Sequence, residues 1–474
     1  MYETMSGNLS HIFYKALLIT LLLSALSYYS SEARENGGVN NYYSNKRENK
    51  RFNRYYSIRL EFAKVNGNSL FATGDKIFLY RAKWGEEIAV DSAIISKEGI
   101  ANFSGPKKGV GEYVIKKGKK VVAEFFISNA ESRMNEVYSI DSDATGKELK
   151  VSHKMGSVEN ALFMNLQNYL FSALNYKTDP KKISVAIDSI SLEIANKCKG
   201  SILDIMCRLS MNPNSGKPSY IRDNFPFKEN RIIYTRFGKS VIENYLEVVR
   251  LNTNEAIEFL ADDLIEAASD PLKPFIASTI FHKFEESDIM GQEAVAVYVA
   301  KRYFGEGKLK WPGEEEEFLA GAFVHMNENS LIGMKAPTIT MKDTSGYSIP
   351  FDSIGGEYKI LYFYSADCKT CRIETPKLAK FLKEYSGAPI SVYAVFTDSS
   401  REHWIKYIKD NFKNDNRSVK WINVWDPAIE SNFPLLYGVI STPQLFLIDM
   451  QGTIIGRRLR TDSLKELLKI KNNN

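Results

Sequence analysis

The chain has 474 residues, 44% of them apolar and 25% charged, a composition that suits about three globular domains with buried cores. Its 62 basic and 57 acidic side chains leave a net charge of only +5, which argues against a nucleic-acid partner. Four cysteines are too few for a disulfide framework, so we expect each of them to serve a specific local purpose.

The N-terminal segment is typical of an export signal. Lys15 precedes an apolar stretch over residues 16–26, and Ser31-Glu32-Ala33 offers a small-x-small cleavage site. We therefore predict a signal peptide over residues 1–33 and a chain exported to the periplasm or cell envelope. An uncleaved N-terminal membrane anchor is the alternative, although the apolar stretch is shorter than the ~20 residues of a membrane span. Residues 34–55 are polar and basic, which predicts a flexible linker.

Two regions with different periodicities follow the linker. Residues 56–140 contain short apolar or alternating runs, such as "KIFLYRA" and "VVAEFFIS", separated by turn residues, which predicts a small all-β sandwich or barrel. Residues 157–326 carry apolar side chains at helical spacing, which predicts an all-α helical domain with one long loop at "PSYIRDNFPF". The β-rich region shows no catalytic constellation, so it is interpreted as a binding or spacer module.

The last region, residues 332–474, alternates strands with helices. "YKILYFYSA", "ISVYAVFTD", "KWINVWD" and "QLFLID" have the character of buried strands, while "ETPKLAKFLKEYS" and "REHWIKYIKDNF" have helical patterns. This order predicts an α/β domain with a mainly parallel central sheet, whose last strands form a β-hairpin around "DMQG".

Cys368 and Cys371 lie at the junction of a predicted strand and helix, and form either a metal half-site or a dithiol. A zinc site needs about four ligands. Among the other cysteines and the histidines, only His403 lies in this region, so no metal is expected. The redox interpretation has positive support. A sulfur at a helix N-terminus is stabilised as thiolate by the unpaired backbone N–H groups and the helix dipole, and Cys371 is placed to resolve a mixed disulfide at Cys368.

Further motifs make this region resemble the thioredoxin superfamily. These are Pro376, eight residues after Cys368, and Thr442-Pro443 just before the strand "QLFLID". More narrowly, "IGMKAPTITMKDTSG" and "CRIETP" are similar to the TlpA/ResA-like extracytoplasmic thiol–disulfide oxidoreductases, over roughly residues 332–470. The β-rich and helical regions resemble the N-terminal parts of Bacteroidetes envelope proteins. The resemblance implies a thioredoxin-like fold, with a cis Pro443 and the family's glutamate at Glu374.

The resemblance also implies a role for each site residue. Cys368 is the expected nucleophile and Cys371 the resolving thiol, while Glu374 tunes Cys371 or relays its proton. The backbone of Thr442, held by Pro443, would pair with an extended substrate strand. The chain departs from the family pattern where thioredoxin buries an aspartate, here Tyr362, and where a tryptophan precedes the first cysteine, here Asp367. These departures leave the redox potential and the direction of electron flow open.

Cys198 and Cys207 lie in the helical region. On one continuous helix they would be about 13 Å apart, too far for a disulfide. Gly200 is a helix stop, however, and Ser201 with Asp204 forms a new capping box, so two helices meeting there would bring the sulfurs together. We expect a structural disulfide, with buried free thiols as the alternative.

The sequence therefore predicts an extracytoplasmic thiol–disulfide oxidoreductase, with reduction of protein disulfides as the favoured direction. It would need no small-molecule cofactor. Its partners would be client proteins with disulfides and a membrane or periplasmic thiol electron donor. The competing hypothesis is a non-catalytic envelope binding or scaffold protein with a thioredoxin-like appendage. A peroxiredoxin-type peroxidase is disfavoured because Ser365 replaces the threonine of a Thr-x-x-Cys pocket.

Overall fold

The computed structural model describes residues 55–63, 70–106, 109–128, 134–142, 149–175, 179–210, 218–249, 253–412 and 418–472. The predicted signal peptide and all of the predicted linker except Tyr55 lie outside these residues. Within the described ranges, no helix has the length and apolar character that a membrane span requires. The chain divides into two compact units, residues up to 250 with 266–276, and residues 251–265 with 277–474.

Among the described residues, the first unit begins with eight strands in two four-stranded sheets. One sheet has the order β4-β1-β7-β8 and the other β3-β2-β5-β6. Both contribute to one apolar core that includes Ile58, Leu79, Phe103 and Phe125. This is the small all-β region expected from the sequence, although β7 ends two residues past the expected boundary at 140 and β8 lies wholly beyond it. The strands are β1 (Tyr55–Phe62), β2 (Lys76–Lys83), β3 (Glu86–Ile94), β4 (Ile100–Pro106), β5 (Gly111–Lys117), β6 (Lys120–Ile127), β7 (Met134–Ser142) and β8 (Leu149–Met155).

Helices complete the first unit. They are α1 (Val158–Asn175), α2 (Pro180–Lys197), α3 (Ile202–Ser210), α4 (Pro218–Asn224) and α5 (Phe237–Val248). The prediction of a long loop at "PSYIRDNFPF" is wrong in its first part, which forms α4. Pro218 is tolerated in the first turn of this helix because the backbone N–H groups there have no partner within the helix. The predicted helix break between α2 and α3 is present. Gly200 has a φ of +78°, and the hydroxyl of Ser201 accepts the N–H of Asp204 at 3.1 Å.

The second unit contains further helices ahead of the α/β region. They are α6 (Asn254–Ala267), α7 (Lys273–Glu285), α8 (Glu293–Val299), continued by a π-helical turn over Ala300–Phe304, and α9 (Glu314–Asn327). The unit boundaries fall within α6 and α7. The α9 helix ends at the beginning of the α/β region, and Asn327 at its C-terminus is buried.

The α/β region is built on a seven-stranded sheet with the order β10-β9-β13-β12-β11-β14-β15. Its strands are β9 (Thr340–Asp343), β10 (Ser348–Pro350), β11 (Tyr358–Tyr364), β12 (Ile390–Phe396), β13 (Val419–Trp425), β14 (Gln444–Asp449) and β15 (Ile454–Gly456). Its helices are α10 (Lys369–Glu384), α11 (Arg401–Asn411), α12 (Phe433–Tyr437) and α13 (Thr461–Asn472).

Only the three central strands of this sheet, β11 to β13, are parallel to one another. The expectation of a mainly parallel sheet is therefore wrong at both edges. The β9–β10 and β14–β15 connections are too short for the crossover that a parallel pair needs, so both pairs are antiparallel. The hairpin predicted at "DMQG" is the β14–β15 pair. Helices and loops cover the sheet on both faces, each over its own apolar core.

Candidate active site

Cys368 lies where β11 leads into α10. It is the N-cap residue of α10, with an extended backbone (φ −78°, ψ 116°), and its Sγ accepts the backbone N–H of Cys371 at 3.0 Å. The sulfur thus occupies the position where a helix presents unpaired N–H groups and the positive end of its dipole. The preceding loop is fixed by the Asp398 carboxylate, which accepts the N–H of Ala366 at 2.8 Å.

Cys368 and Cys371 form a disulfide, with their Cα atoms 5.2 Å apart. Cys368 is half-buried, whereas Cys371 is completely buried within the core beneath α10. The two sulfurs therefore differ in access to an incoming partner. The exposed neighbours Asp367 and Lys369 put one charge of each sign beside Cys368.

The loop before β14 lies against this disulfide. The carbonyl oxygen of Thr442 is 3.0 Å from the Cys368 Sγ, and the Thr442–Pro443 peptide bond is cis, as the resemblance implied. Ile440, in the same loop, is 80% exposed, and Ile373, on α10, is 59% exposed. The half-buried sulfur is thus accompanied by a backbone segment and two accessible apolar side chains.

A buried polar network lies on the inner side of Cys371. The Tyr407 hydroxyl donates to the Cys371 carbonyl at 3.3 Å and lies 2.9 Å from the Thr375 hydroxyl. The Tyr362 hydroxyl is 2.7 Å from the same Thr375 oxygen. Burial raises the pKa of both tyrosines, so their hydroxyls are neutral donors at physiological pH. At the sequence position where thioredoxin carries a buried aspartate, this chain therefore has a neutral tyrosine.

Glu374 lies one helical turn after Cys371 and is 9% exposed. Its Oε2 accepts the N–H of Thr461 at 3.3 Å and the Thr461 hydroxyl at 3.0 Å, while Oε1 accepts from Lys377 at 3.2 Å. Burial by itself would raise the pKa of this carboxyl, but these hydrogen bonds outweigh it, and the pKa lies below its ordinary value. Glu374 is therefore a fixed negative charge near the resolving cysteine.

Cys198 and Cys207 are both free thiols, so the expected disulfide between them is wrong in this structure. The helix break at Gly200 forms as predicted, but Cys207 faces the interior and is only 3% exposed, while Cys198 follows the end of α2 and is half-buried. Burial raises the pKa of both thiols, which disfavours the reactive thiolate. Across the described ranges, no three His, Cys, Asp or Glu residues gather as a metal site would require.

Sequence reasoning missed several residues of this site. Trp404 and Tyr407 share a buried helical face of α11, and that periodicity predicted burial without indicating a hydroxyl aimed at Cys371. The lining of a cavity beside Pro443, which includes Gln444, Arg458 and Arg460, carried no recognisable motif. Such residues meet only through the tertiary fold.

Comparisons with known proteins agree on this region. Residues 332–457 match the family described as AhpC/TSA. Thioredoxin-like protein YneN of Bacillus subtilis (strain 168) is 27% identical over 144 residues, covering 28% of this chain and 75% of that protein. Thiol-disulfide oxidoreductase ResA of Bacillus cereus (strain ATCC 10987 / NRS 248) is 26% identical over 142 residues, covering 30% and 77%.

A solved structure gives a similar alignment. The domain of a possible thiol-disulfide isomerase from Cytophaga hutchinsonii ATCC 33406 is 31% identical, with a TM-score of 0.28, and the match covers 31% of this chain and 97% of that one. Fold and matched relatives together define the class: the C-terminal region is a thioredoxin-like domain of the thiol–disulfide oxidoreductase type. Within that class, residues 332–457 match the AhpC/TSA family and the region is similar to ResA, and β-rich and helical regions precede it in the same chain.

Proposed function

We propose that this protein is an extracytoplasmic thiol–disulfide oxidoreductase that reduces disulfides in client proteins through Cys368 and Cys371. One observation carries the proposal: a half-buried Cys368 sulfur at the N-terminus of α10, 3.0 Å from both the Cys371 N–H and the Thr442 carbonyl oxygen. The N–H and the helix dipole stabilise a thiolate at that sulfur, and the Thr442 backbone is accessible to an extended partner strand.

The reaction begins with the reduced pair. The Cys368 thiolate attacks one sulfur of the client disulfide, forming a mixed disulfide and releasing the other client sulfur as a thiolate, which takes up a proton. The Cys371 thiol loses its proton and attacks the Cys368 sulfur. This step re-forms the Cys368–Cys371 disulfide and releases the second client thiol. Two electrons pass from the pair to the client, and a thiol donor must return them.

Glu374 is proposed to tune the second step. Its ionised carboxylate, one helical turn from Cys371, makes a neighbouring thiolate less favourable. Cys371 would therefore stay protonated, and unreactive toward outside disulfides, until the mixed disulfide at Cys368 is in place. Thr461 and Lys377 hold the carboxylate, so Glu374 acts as a positioning charge and not as a group that touches the client.

The proposed location rests on the export-signal pattern of residues 1–33 and on the similarity to ResA. Outside the cytoplasm no pool of reduced thioredoxin supplies electrons, so the donor would be a membrane or periplasmic thiol protein. The favoured direction is reduction. A strongly oxidising pair needs a strongly stabilised thiolate at its first cysteine. Here Lys369 and the helix dipole stabilise the Cys368 thiolate, but the adjacent Asp367 opposes it, which argues against a strongly oxidising pair.

Trapping of the mixed disulfide tests the proposal. In Cys371→Ser the first attack still occurs but the product cannot be resolved, so incubation with a disulfide-containing protein such as insulin should yield a covalent adduct that dithiothreitol removes. Cys368→Ser should yield none, and Cys198→Ser, which alters a thiol of the first unit, should behave as the parent chain. If Cys371→Ser forms no adduct at Cys368, the chain is not an oxidoreductase of this kind, and the scaffold hypothesis takes its place.

A further inference from the structure

A cavity of about 510 Å³ lies beside the cis-Pro443 loop. Ser441 and Pro443 line it on either side of Thr442, so it adjoins the backbone that contacts Cys368. Its volume falls within the range of small-molecule sites, about 300–1,000 Å³, and exceeds what one client side chain would fill. The cavity is thus placed to receive a substrate group attached to the sulfur that Cys368 attacks.

Helices from outside the thioredoxin-like domain form one wall of this cavity. Glu285 at the end of α7 and Phe323 on α9 line it, and both belong to the same compact unit as the domain. The Glu285 carboxylate is held by His282, whose Nδ1 lies 2.9 Å from its Oε2. The wall therefore adds a charged and an aromatic group that the α/β domain does not itself supply.

This wall is fastened to the domain by a buried ion pair. Arg457 is 1% exposed, and its guanidinium donates to Glu293 and to Asn327, each at 3.0 Å. Close by, the backbone of Gly438 approaches α9 so tightly that a Cβ there would be 2.4 Å from the Met326 carbonyl oxygen. Contacts of this kind fix the spacing between the helices and the cis-proline loop, so the cavity has a defined shape.

The polar lining carries both signs of charge. Glu285 and Glu374 supply two carboxylates, while the exposed Arg458 and Arg460 supply two guanidiniums. Arg458 donates to Asn327 at 2.8 Å, whereas the guanidinium of Arg460 makes no ion pair or hydrogen bond among the described residues. A ligand that carries one group of each sign matches such a lining better than a ligand of a single sign.

Gln444 adds a separate reason to expect a ligand with hydrogen-bond donors. It lines the cavity, is 7% exposed, and donates its amide N–H to the Gly438 carbonyl at 3.1 Å. Its Oε1 has no hydrogen-bond partner among the described residues. A buried acceptor without a partner is costly, and a donor on a ligand would remove that cost.

We propose that this cavity binds one half of a low-molecular-weight disulfide whose free end carries both an ammonium and a carboxylate group, as in a disulfide of an amino-acid thiol. The ammonium group would bind at Gln444 and Glu285, and the carboxylate at Arg458 and Arg460. This inference rests on the proposed dithiol chemistry and adds a second substrate class to it. Arg460 and Gln444 are its specificity-determining residues.

The reaction has the same balance as the reduction of a protein client. The Cys368 thiolate attacks the sulfur nearer the cavity, and the other half of the small disulfide leaves as a thiolate that takes up a proton. Cys371 then displaces the bound half, which leaves as a second thiol, while the Cys368–Cys371 disulfide forms. One disulfide is reduced to two thiols and one dithiol is oxidised, so a single turnover of pre-reduced protein needs no further reductant.

Four symmetrical disulfides that differ only in their ends make a direct test. Cystine carries both charges, cystamine only ammonium groups, 3,3′-dithiodipropionic acid only carboxylates, and bis(2-hydroxyethyl) disulfide neither. With the pre-reduced full chain in single turnovers, cystine should oxidise the pair at least about tenfold faster than the hydroxyethyl compound, the factor that one charge-assisted hydrogen bond supplies. The two singly charged compounds should fall between them.

Two variants then assign the preference to the cavity. Arg460→Gln changes an exposed side chain. It should abolish most of the rate advantage of cystine and 3,3′-dithiodipropionic acid, while the rates with cystamine, the hydroxyethyl compound and insulin stay unchanged. Arg401→Gln, the matched change on α11, should alter none of them. Gln444→Leu should slow the oxidation of the pair by cystine and cystamine specifically.

The failures of the two proposals are distinguishable. Equal rates for all four disulfides, or a cystine preference that survives Arg460→Gln, would overturn the cavity inference while the dithiol chemistry stands. Slowing of insulin by Arg460→Gln in proportion to cystine would also overturn it, because the cavity would then serve a protein client. If no disulfide oxidises the pair, the proposed function fails and this inference fails with it.

Discussion

The carboxylate of Glu374 accepts both the backbone N–H and the hydroxyl of Thr461, at 3.3 and 3.0 Å. Thr461 is the first residue of α13, so the pair connects the helix that carries the cysteines to the start of the last helix of the chain. The same carboxylate that is proposed to tune Cys371 therefore also caps α13, and its removal should have two separable effects.

Glu374→Gln should destabilise the fold at neutral pH by about 1.5–3 kcal/mol, the range for hydrogen bonds to a charged group. Because the pKa of Glu374 is lowered on folding, the stabilisation is present above the unfolded pKa of about 4.3 and is lost as the pH falls through the folded pKa. Urea denaturation from pH 3 to 7 should show a flatter acid limb in the variant. Glu384→Gln, an exposed change on the same helix, should leave that limb intact.

The same variant should lower the pKa of the Cys371 thiol, because a negative charge one turn away has been removed. The measurement is the pH dependence of Cys371 alkylation in a Cys368→Ser background, with and without Glu374→Gln. An unchanged pKa, together with the expected loss of stability, would reduce Glu374 to a purely structural cap.

Tyr362 and Tyr407 should be energetically coupled, because their hydroxyls share the Thr375 oxygen. Each Tyr→Phe change should cost about 1 kcal/mol, and the double change should differ from the sum by about 0.5 kcal/mol or more. A double-mutant cycle from urea denaturation measures this coupling. Tyr347→Phe, at a 72% exposed position, is the control for losing a hydroxyl. Strict additivity would show that the network does not exist in solution.

Removing the charge of only one partner of the Arg457–Glu293 ion pair should lower the free energy of unfolding strongly. Glu293→Gln leaves a buried guanidinium without its counter-charge, and we expect a loss of about 3–5 kcal/mol. Replacing both residues with methionine should cost less than the single change, since no unpaired charge remains. Glu328→Gln, the same substitution in the more exposed pair with Lys301, should cost at most about 1 kcal/mol. A Glu293→Gln effect no larger than this control would contradict the account.

His282 should make the stability of the second unit pH-dependent in the alkaline range. It lies between Glu285 and Glu316, whose hydrogen bonds raise its pKa to about 9. The stabilisation of the fold by protonated His282 is fully present below the unfolded pKa of about 6.5 and is lost as the pH rises through the folded pKa of about 9. His282→Asn should lower the thermal midpoint at pH 6.5 and have little effect at pH 10. The exposed His403→Asn should show no such difference.

Local signals in the sequence predicted a large part of this site. The strand–helix junction at Cys368 follows from a short stretch of sequence, because residues that are neighbours in the chain decide it. The cis Thr442–Pro443 bond was implied by the resemblance to the thioredoxin superfamily.

Features that depend on distant residues were not predictable. The Tyr362–Thr375–Tyr407 network joins a strand and two helices, and the cavity near Gln444 joins the domain to α7 and α9. The expected Cys198–Cys207 disulfide failed for the same reason: the helix break was visible in the sequence, but the direction in which Cys207 faces is set by packing.

Redox equilibration of the full chain, with alkylation and mass-resolved counting at each cysteine, tests the central claim most directly. Cys368 and Cys371 should titrate together as a two-electron couple, at about −270 mV or lower as for thioredoxin, while Cys198 and Cys207 stay reduced throughout. A midpoint near about −120 mV would reverse the proposed direction of electron flow. A Cys368–Cys371 pair that never titrates reversibly would contradict the claim that this protein is an oxidoreductase.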